Sequence, residues 1–228
     1  MCGRYALYGP ASRLQEAFKA SIEGFDFKPR YNAAPMQWLP VIRQRPDGER
    51  VIHELRWGLL PGWAKDESMA TKLINARGET VADKPAFRSA IRRRRCIAPM
   101  NGFYEWQTRP AGKQPYFIRR VDDTFIGVAG LWERWVRPTD GEELDTFTIV
   151  TIEANAMMAP LHHRMPVILP IEVHGPWLDN RVPVAEVIKW VRSGEEGFLR
   201  HYPVGKTVGS VRHEGPELIE PAQDAGTL

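Results

Sequence analysis

The chain has 228 residues, 43% hydrophobic and 26% charged, with nineteen glycines and nineteen prolines. That length suits one hydrophobic core, and the composition excludes a disordered or fibrous chain. Thirty-one Lys and Arg against twenty-eight Asp and Glu leave +3, too little to indicate nucleic acid by itself, and two cysteines, Cys2 and Cys96, exclude a disulfide framework or four-cysteine zinc site.

No apolar run approaches the roughly 18 residues of a membrane span, and the first ten residues lack the pattern of a signal peptide, so a cytoplasmic protein is expected. Residues 11–20 (ASRLQEAFKA) place Leu14, Ala17 and Phe18 on one helical face, with Ser12 available as N-cap. Residues 51–60 are rich in β-branched and aromatic side chains and read as a strand, as do 116–121, 124–132 and 147–152. Pro85 opens a predicted helix through PAFRSAIRRRR, while 154–161 and 184–191 also read as helices. Residues 137–143 read as a hairpin loop, and the chain from Gly215 loses periodicity. Without a βαβ rhythm or internal repeat, the order predicts an α+β fold, a curved and largely antiparallel sheet flanked by short helices.

Cys2 is the most informative residue. Removal of the initiator Met, usual before a small second residue, makes Cys2 the amino terminus. An α-amine of pKa about 7.7–8.0 then sits beside a thiol near about 8.5, so roughly a tenth of the amine is unprotonated at neutral pH. Such a 1,2-aminothiol attacks an aldehyde through nitrogen and closes through sulfur to a thiazolidine, whereas an amide meets the thiolate alone. The plainer alternative is a cysteine that only packs.

Three segments, YNAAP (31–35), RWGLLPGW (56–63) and INARGET (74–80), read as shaped loops. Asn75 and Arg77 share a face if extended, an amide to orient a nucleophile and a guanidinium for phosphate, or else two loop-stabilising groups. Glu105, between Tyr104 and Trp106, is expected to be desolvated by an aromatic cradle and to act as a general acid, unless it is a salt-bridged strand end. LHHRMPVIL (161–169) sets His162, His163 and Arg164 at a turn; adjacent strand histidines point to opposite sides, which argues against a shared metal. The run Arg92 to Arg95 either tracks phosphate or fans around a helix end.

MCGRY, YNAAP, RWGLLPGW, INARGET, GFYEW and LHHRMPVIL, in this order and followed by VGSVRHEGPELIEP, resemble the SOS response-associated peptidase (SRAP) family of abasic-site-processing proteins. The resemblance implies one barrel-like α+β domain over residues 1–221, a flexible 222–228 tail, and a positive channel for single-stranded DNA. It implies that Cys2 is the crosslinking nucleophile, that Asn75 positions it, and that Glu105 and His162 assist proton transfer. Arg4, Arg77 and Arg164 then line the DNA path, and Pro35 and Trp63 form a wedge beside the lesion. Departures from the family pattern are His163 after the histidine, Ala64 after Trp63, and Ser210 where Asn is common.

The implied partner is single-stranded DNA carrying an abasic site, bound by a monomer with a nucleoid-associated location, no membrane and no metal or other cofactor. A replication-protein partner is not readable from the residues. The expected product is a thiazolidine DNA-protein crosslink, with weak lyase or autoproteolytic activity as accompaniment. Three other readings stay open: an N-terminal-nucleophile amidohydrolase, a thiol peptidase using Cys2, His162 and Glu105, and a non-catalytic single-strand-binding module.

Overall fold

A computed structural model describes residues 2–192 and 197–222. Its strands in chain order are β1 (Tyr5–Leu7), β2 (Ser21–Ile22), β3 (Arg30–Ala33), β4 (Trp38–Gln44), β5 (Arg50–Trp57), β6 (Asn75–Arg77), β7 (Arg95–Met100), β8 (Gly102–Arg109), β9 (Gly112–Arg120), β10 (Ile126–Val136), β11 (Glu143–Glu153), β12 (Arg164–Pro166) and β13 (Leu199–Pro203). The α-helices are short: α1 (Ala11–Phe18), α2 (Ala90–Arg93), α3 (His174–Leu178) and α4 (Val184–Val187).

Strands β5, β4, β7, β10 and β11 form a ring, antiparallel at each seam except the last, where β5 and β11 run parallel over Arg56 with Thr146 and Trp57 with Phe147. Closing the sheet on itself removes the unpaired edges an open sheet would expose. Buried Trp57 fills this seam, stacking on Phe147 at 6.1 Å and donating its indole N–H to Ile74 O at 2.9 Å. The indole N–H therefore costs nothing by being buried.

The second sheet, in the order β13, β9, β8, β1, β3, is antiparallel throughout and sorts its side chains by the period of two. Tyr5, Leu7, Phe103 and Ile118 face the barrel core, whereas Ala6, Tyr104 and Phe117 face a smaller cluster closed by Val204, Val208 and Leu218. The C-terminal segment thus covers the sheet's outer face. It remains tied at its end, because Ala222 N–H donates to Pro203 O at 2.9 Å. The rest of the expected tail, 223–228, lies outside the described residues.

The predicted strands are present, 116–121, 124–132 and 147–152 lengthened into β9, β10 and β11 and 51–60 cut short as β5 ends at Trp57, and the 137–143 hairpin joins β10 to β11. YNAAP is not wholly a loop, since Tyr31 to Ala33 belong to β3. Helix α1 buries Leu14 and Phe18, but its N-cap is Pro10 rather than Ser12. Residues 85–95 yield only the single turn α2: the Arg95 guanidinium turns inward, accepted by the carbonyls of Ile91, Arg92, Trp177 and Asp179, and so joins the helix end to the body. Arg95 is therefore a buried brace, neither a phosphate ligand nor a solvated helix end. Residues 154–161 form turns in place of a helix, because Asn155 caps Met158 N–H through its side chain and Pro160 has no N–H to continue the ladder.

Candidate active site

The site is assembled around the start of the chain. Strand β6 lies parallel against β11, with Asn75 beside Ile149 and Arg77 beside Thr151, so Asn75 and Arg77 do share one face while Ala76 is buried on the other. Ile74 O is held by both Trp57 and the Ile149 N–H. That anchor aims the Asn75 amide, whose Nδ2 donates to Cys2 O at 3.0 Å. Asn75 Oδ1 is buried with no hydrogen-bond partner among the described residues, leaving an acceptor for an incoming hydroxyl or amine.

Cys2 is fully buried and Glu105 is 2% exposed. Burial pushes the Cys2 thiol pKa far up, and the negative charge of Glu105 adds to it, while a hydrogen bond from the Arg4 backbone N–H offsets part of the rise. Burial likewise raises the Glu105 pKa, which favours the protonated carboxyl. The flanking aromatics are not the cause. Tyr104 and Trp106 lie on the opposite face of β8, in the C-terminal cluster, so the expected cradle is replaced by the barrel side of the sheet.

His162 and Glu105 approach to 4.0 Å between Nδ1 and Oε1. His162 Nδ1 meets both backbone groups of Arg164, the N–H at 2.9 Å and the carbonyl oxygen at 3.2 Å, and accepting from the nearer one requires the neutral ring to carry its proton on Nε2. Burial, chiefly, lowers the His162 pKa and favours that neutral form. His162 and His163 do not point to opposite sides: they occupy a turn before β12, and their rings stack at 4.3 Å. Among the described residues no group of three His, Cys, Asp or Glu side chains could hold a metal.

The structure thus brings Cys2, Asn75, Glu105 and His162 together. The three arginines differ. Arg77 is exposed, and no described residue gives its guanidinium an ion pair or hydrogen bond. Arg4 is partly buried, its Nη1 donating to Asn32 Oδ1 and Val208 O, both at 2.7 Å, with the guanidinium 5.9 Å above Trp106. Arg164 is 8% exposed and grips Glu79 with two bonds, 2.6 and 2.9 Å, and Thr151 O with a third at 2.7 Å. Its guanidinium is engaged within the protein.

Trp63 is 58% exposed, and Pro35 borders Met36, whose backbone takes a left-handed φ of 69°. Gly58 allows the loop carrying Trp63 to leave the barrel: its φ is +130°, and a Cβ there would stand 2.8 Å from Ala70 O. Ala64 is buried and its carbonyl accepts from Trp135, so that position offers no stacking surface. Ser210 contributes its backbone, accepting from the Asn32 side chain at 2.9 Å. Away from all these residues, a cleft of about 430 Å³ on the outer barrel wall is lined by Trp38, Arg43, His53, Arg134 and Asp145, among others.

Glu79 and Asn32 escaped sequence reading. Glu79 stands two residues after Arg77, but its bond to Arg164 spans 85 positions and leaves no local pattern. Asn32 is fully buried and ties Arg4 to the C-terminal segment, donating to the carbonyls of Ser210 and His213.

Comparison with known proteins adds a family match, two relatives and two structural neighbours. The model of the family described as SOS response associated peptidase (SRAP) matches residues 1–211. The chain is 40% identical over 226 residues to the abasic site processing protein YobE of Bacillus subtilis, covering 96% of this chain and 99% of that protein. It is 33% identical over 265 residues to the abasic site processing protein HMCES of Gallus gallus, covering 98% and 78%. Among solved structures, a Bacteroides thetaiotaomicron protein superposes with a TM-score of 0.76 at 30% identity, covering 84% of this chain and 85% of the other. A Bordetella bronchiseptica protein gives 0.78 at 27% identity, covering 90% and 100%.

Proposed function

Since the chain belongs to the SOS response-associated peptidase family, we propose that it processes abasic sites in single-stranded DNA by forming a covalent crosslink through Cys2 once Met1 is removed. The observation that carries this reading is the environment of Cys2: a fully buried thiol, raised in pKa, beside a buried carboxyl. That environment suits an order in which the amine reacts first.

In that order the α-amine of Cys2 adds to the aldehyde of the ring-opened sugar, and loss of water gives an imine. The Cys2 sulfur then bonds to the imine carbon while its proton passes to nitrogen, closing a thiazolidine. Glu105, whose burial favours the protonated form, supplies the proton on which water departs, and His162 carries its Nε2 proton to the developing oxygen charge. Asn75 holds the Cys2 carbonyl and offers Oδ1 to the incoming group. The saturated ring removes the electron sink needed for β-elimination, so the strand stays intact.

On the DNA side, exposed Arg77 is the best-placed phosphate ligand, Arg4 and Arg164 act through the segments their internal bonds hold, and Trp63 with Pro35 interrupts stacking beside the lesion. A base on Trp63 contributes about 1–3 kcal/mol. Single strands are favoured because an abasic sugar needs no extrusion from a duplex. No described helix is long and apolar enough to cross a membrane.

The test is intact mass after mixing the protein with a single-stranded oligonucleotide containing one abasic site. The expected result is Met-less protein plus one oligonucleotide less one water, absent with undamaged DNA and with Cys2→Ala. Protein that begins at Cys2 and forms no adduct overturns the reading.

A further inference from the structure

His162 sits at a turn, where a ring is free to rotate unless something fixes it. Its Nδ1 accepts from the Arg164 N–H at 2.9 Å and lies 3.2 Å from Arg164 O, and its ring stacks on His163 at 4.3 Å, so its orientation depends in large part on how firmly Arg164 is held. Arg164 opens the short strand β12, which pairs with β11 over three residues. Its side chain supplies the missing rigidity: Nη1 and Nη2 meet the two oxygens of Glu79 at 2.6 and 2.9 Å, and Nη2 also bonds Thr151 O at 2.7 Å. A bidentate pair of this kind fixes direction as well as distance. Glu79 is itself held in the 3₁₀ turn Gly78–Thr80, directly after the strand that carries Asn75.

We propose that Glu79 is a positioning residue for the reaction: by clamping Arg164 it locks the ring orientation and Nε2-protonated tautomer of His162 beside Glu105. One carboxylate thereby couples the segment that presents Asn75 to the segment that presents His162. Hydrogen bonding to Arg164 holds the Glu79 carboxyl below the usual range, so the clamp stays ionised through neutral pH. The role in catalysis rests on the crosslinking reading, whereas the tautomer lock stands without it.

The experiment compares wild type, Glu79→Ala, Glu79→Gln and Glu79→Asp in two measurements. Single-turnover crosslinking at saturating abasic single-stranded DNA is expected to slow about tenfold in Glu79→Ala and to recover to within about threefold in Glu79→Asp. Long-range ¹⁵N–¹H correlation of the imidazoles, without DNA, is expected to show one Nε2–H tautomer for His162 in wild type and a mixture in Glu79→Ala. Glu79→Gln keeps the shape and one acceptor and is expected to fall between, which retains the test if the alanine variant does not fold. A wild-type tautomer pattern and wild-type rate in a folded Glu79 variant overturn the proposal, even if thermal stability drops. Wild type that forms no adduct overturns the crosslinking reading instead, and the imidazole spectra still decide the role of Glu79.

Discussion

In the pocket at Cys2, His162 approaches Glu105 to 4.0 Å; in the cleft on the outer barrel wall, His53 approaches Glu23 to 3.4 Å. Glu105 is buried, and its pKa is raised by that burial. Glu23 is 30% exposed and is shared with Arg45, and nearby Asp145 is gripped by Arg43 and Arg134. Burial acts against the Asp145 charge, yet its hydrogen bonds to Arg134 and Arg43 outweigh that and leave its pKa lowered. The outer wall therefore pairs its charges within salt-bridge networks, whereas burial at Glu105 favours the protonated carboxyl. Similar side chains are thus shifted in opposite directions, the paired carboxylate of Asp145 down and the buried carboxyl of Glu105 up.

The largest effect that separates the two regions is on chemistry. Glu105→Gln is expected to slow single-turnover crosslinking by about 100-fold or more, while Glu23→Gln and His53→Ala stay within about twofold of wild type. A comparable loss from the outer-wall variants would erase the distinction. Next in size, Trp63→Ala is expected to weaken binding of abasic single-stranded DNA by about 5- to 150-fold, the equivalent of about 1–3 kcal/mol of stacking. Arg77→Ala is expected to weaken it less at moderate salt and to reduce the slope of log K against log salt by about 0.7, read from fluorescence anisotropy titrations.

The smallest effect is on stability, and it has opposite signs in the two regions. The raised folded pKa of Glu105 means that the folded protein holds this proton more tightly than the unfolded chain. Its contribution is complete below the ordinary carboxylate value and is lost as pH rises from there through the raised value. His53 has a lowered pKa, first because burial disfavours its charged form and then because Arg43 repels it. Its contribution is complete above the ordinary histidine value and is lost as pH falls through the lowered one. Melting temperatures across pH are thus expected to rise in Glu105→Gln at neutrality, by about 2–4 °C for each kcal/mol released, and His53→Gln is expected to flatten the acid limb. A fall in Tm for folded Glu105→Gln at pH 7 would contradict the account of the pocket.

Periodicity made the strands and α1 legible, because burial on one face imposes a pattern of two or 3.6 residues. It failed at 85–95 and 154–161, where long-range bonds to Arg95 and the Asn155 cap outweigh local helix preference. The candidate residues were legible as types, Cys2 by its position and Asn75 and Arg77 by spacing, whereas Glu105 was singled out by aromatic neighbours that lie on the other face of its strand. Their geometry was not. The bond of Asn75 to Cys2 depends on how β6 meets β11, and the engagement of Arg164 by Glu79 depends on two segments that sequence separates. Alternation along β8 also shows why adjacent aromatics mislead, since neighbours in a strand occupy opposite faces.

The pairing of β6 with β11 has a consequence for synthesis on the ribosome. Asn75 cannot be aimed until β11 exists, and His162 follows later still, so the pocket is completed only after most of the chain has been translated. At about 5–20 residues per second, the nascent chain carries its amino terminus for roughly 8–30 seconds before the walls that bury Cys2 arrive. If Met1 is removed that early, as the crosslinking proposal allows, the aminothiol of Cys2 is open to any aldehyde in solution throughout that interval. The folded barrel ends that exposure by burying Cys2.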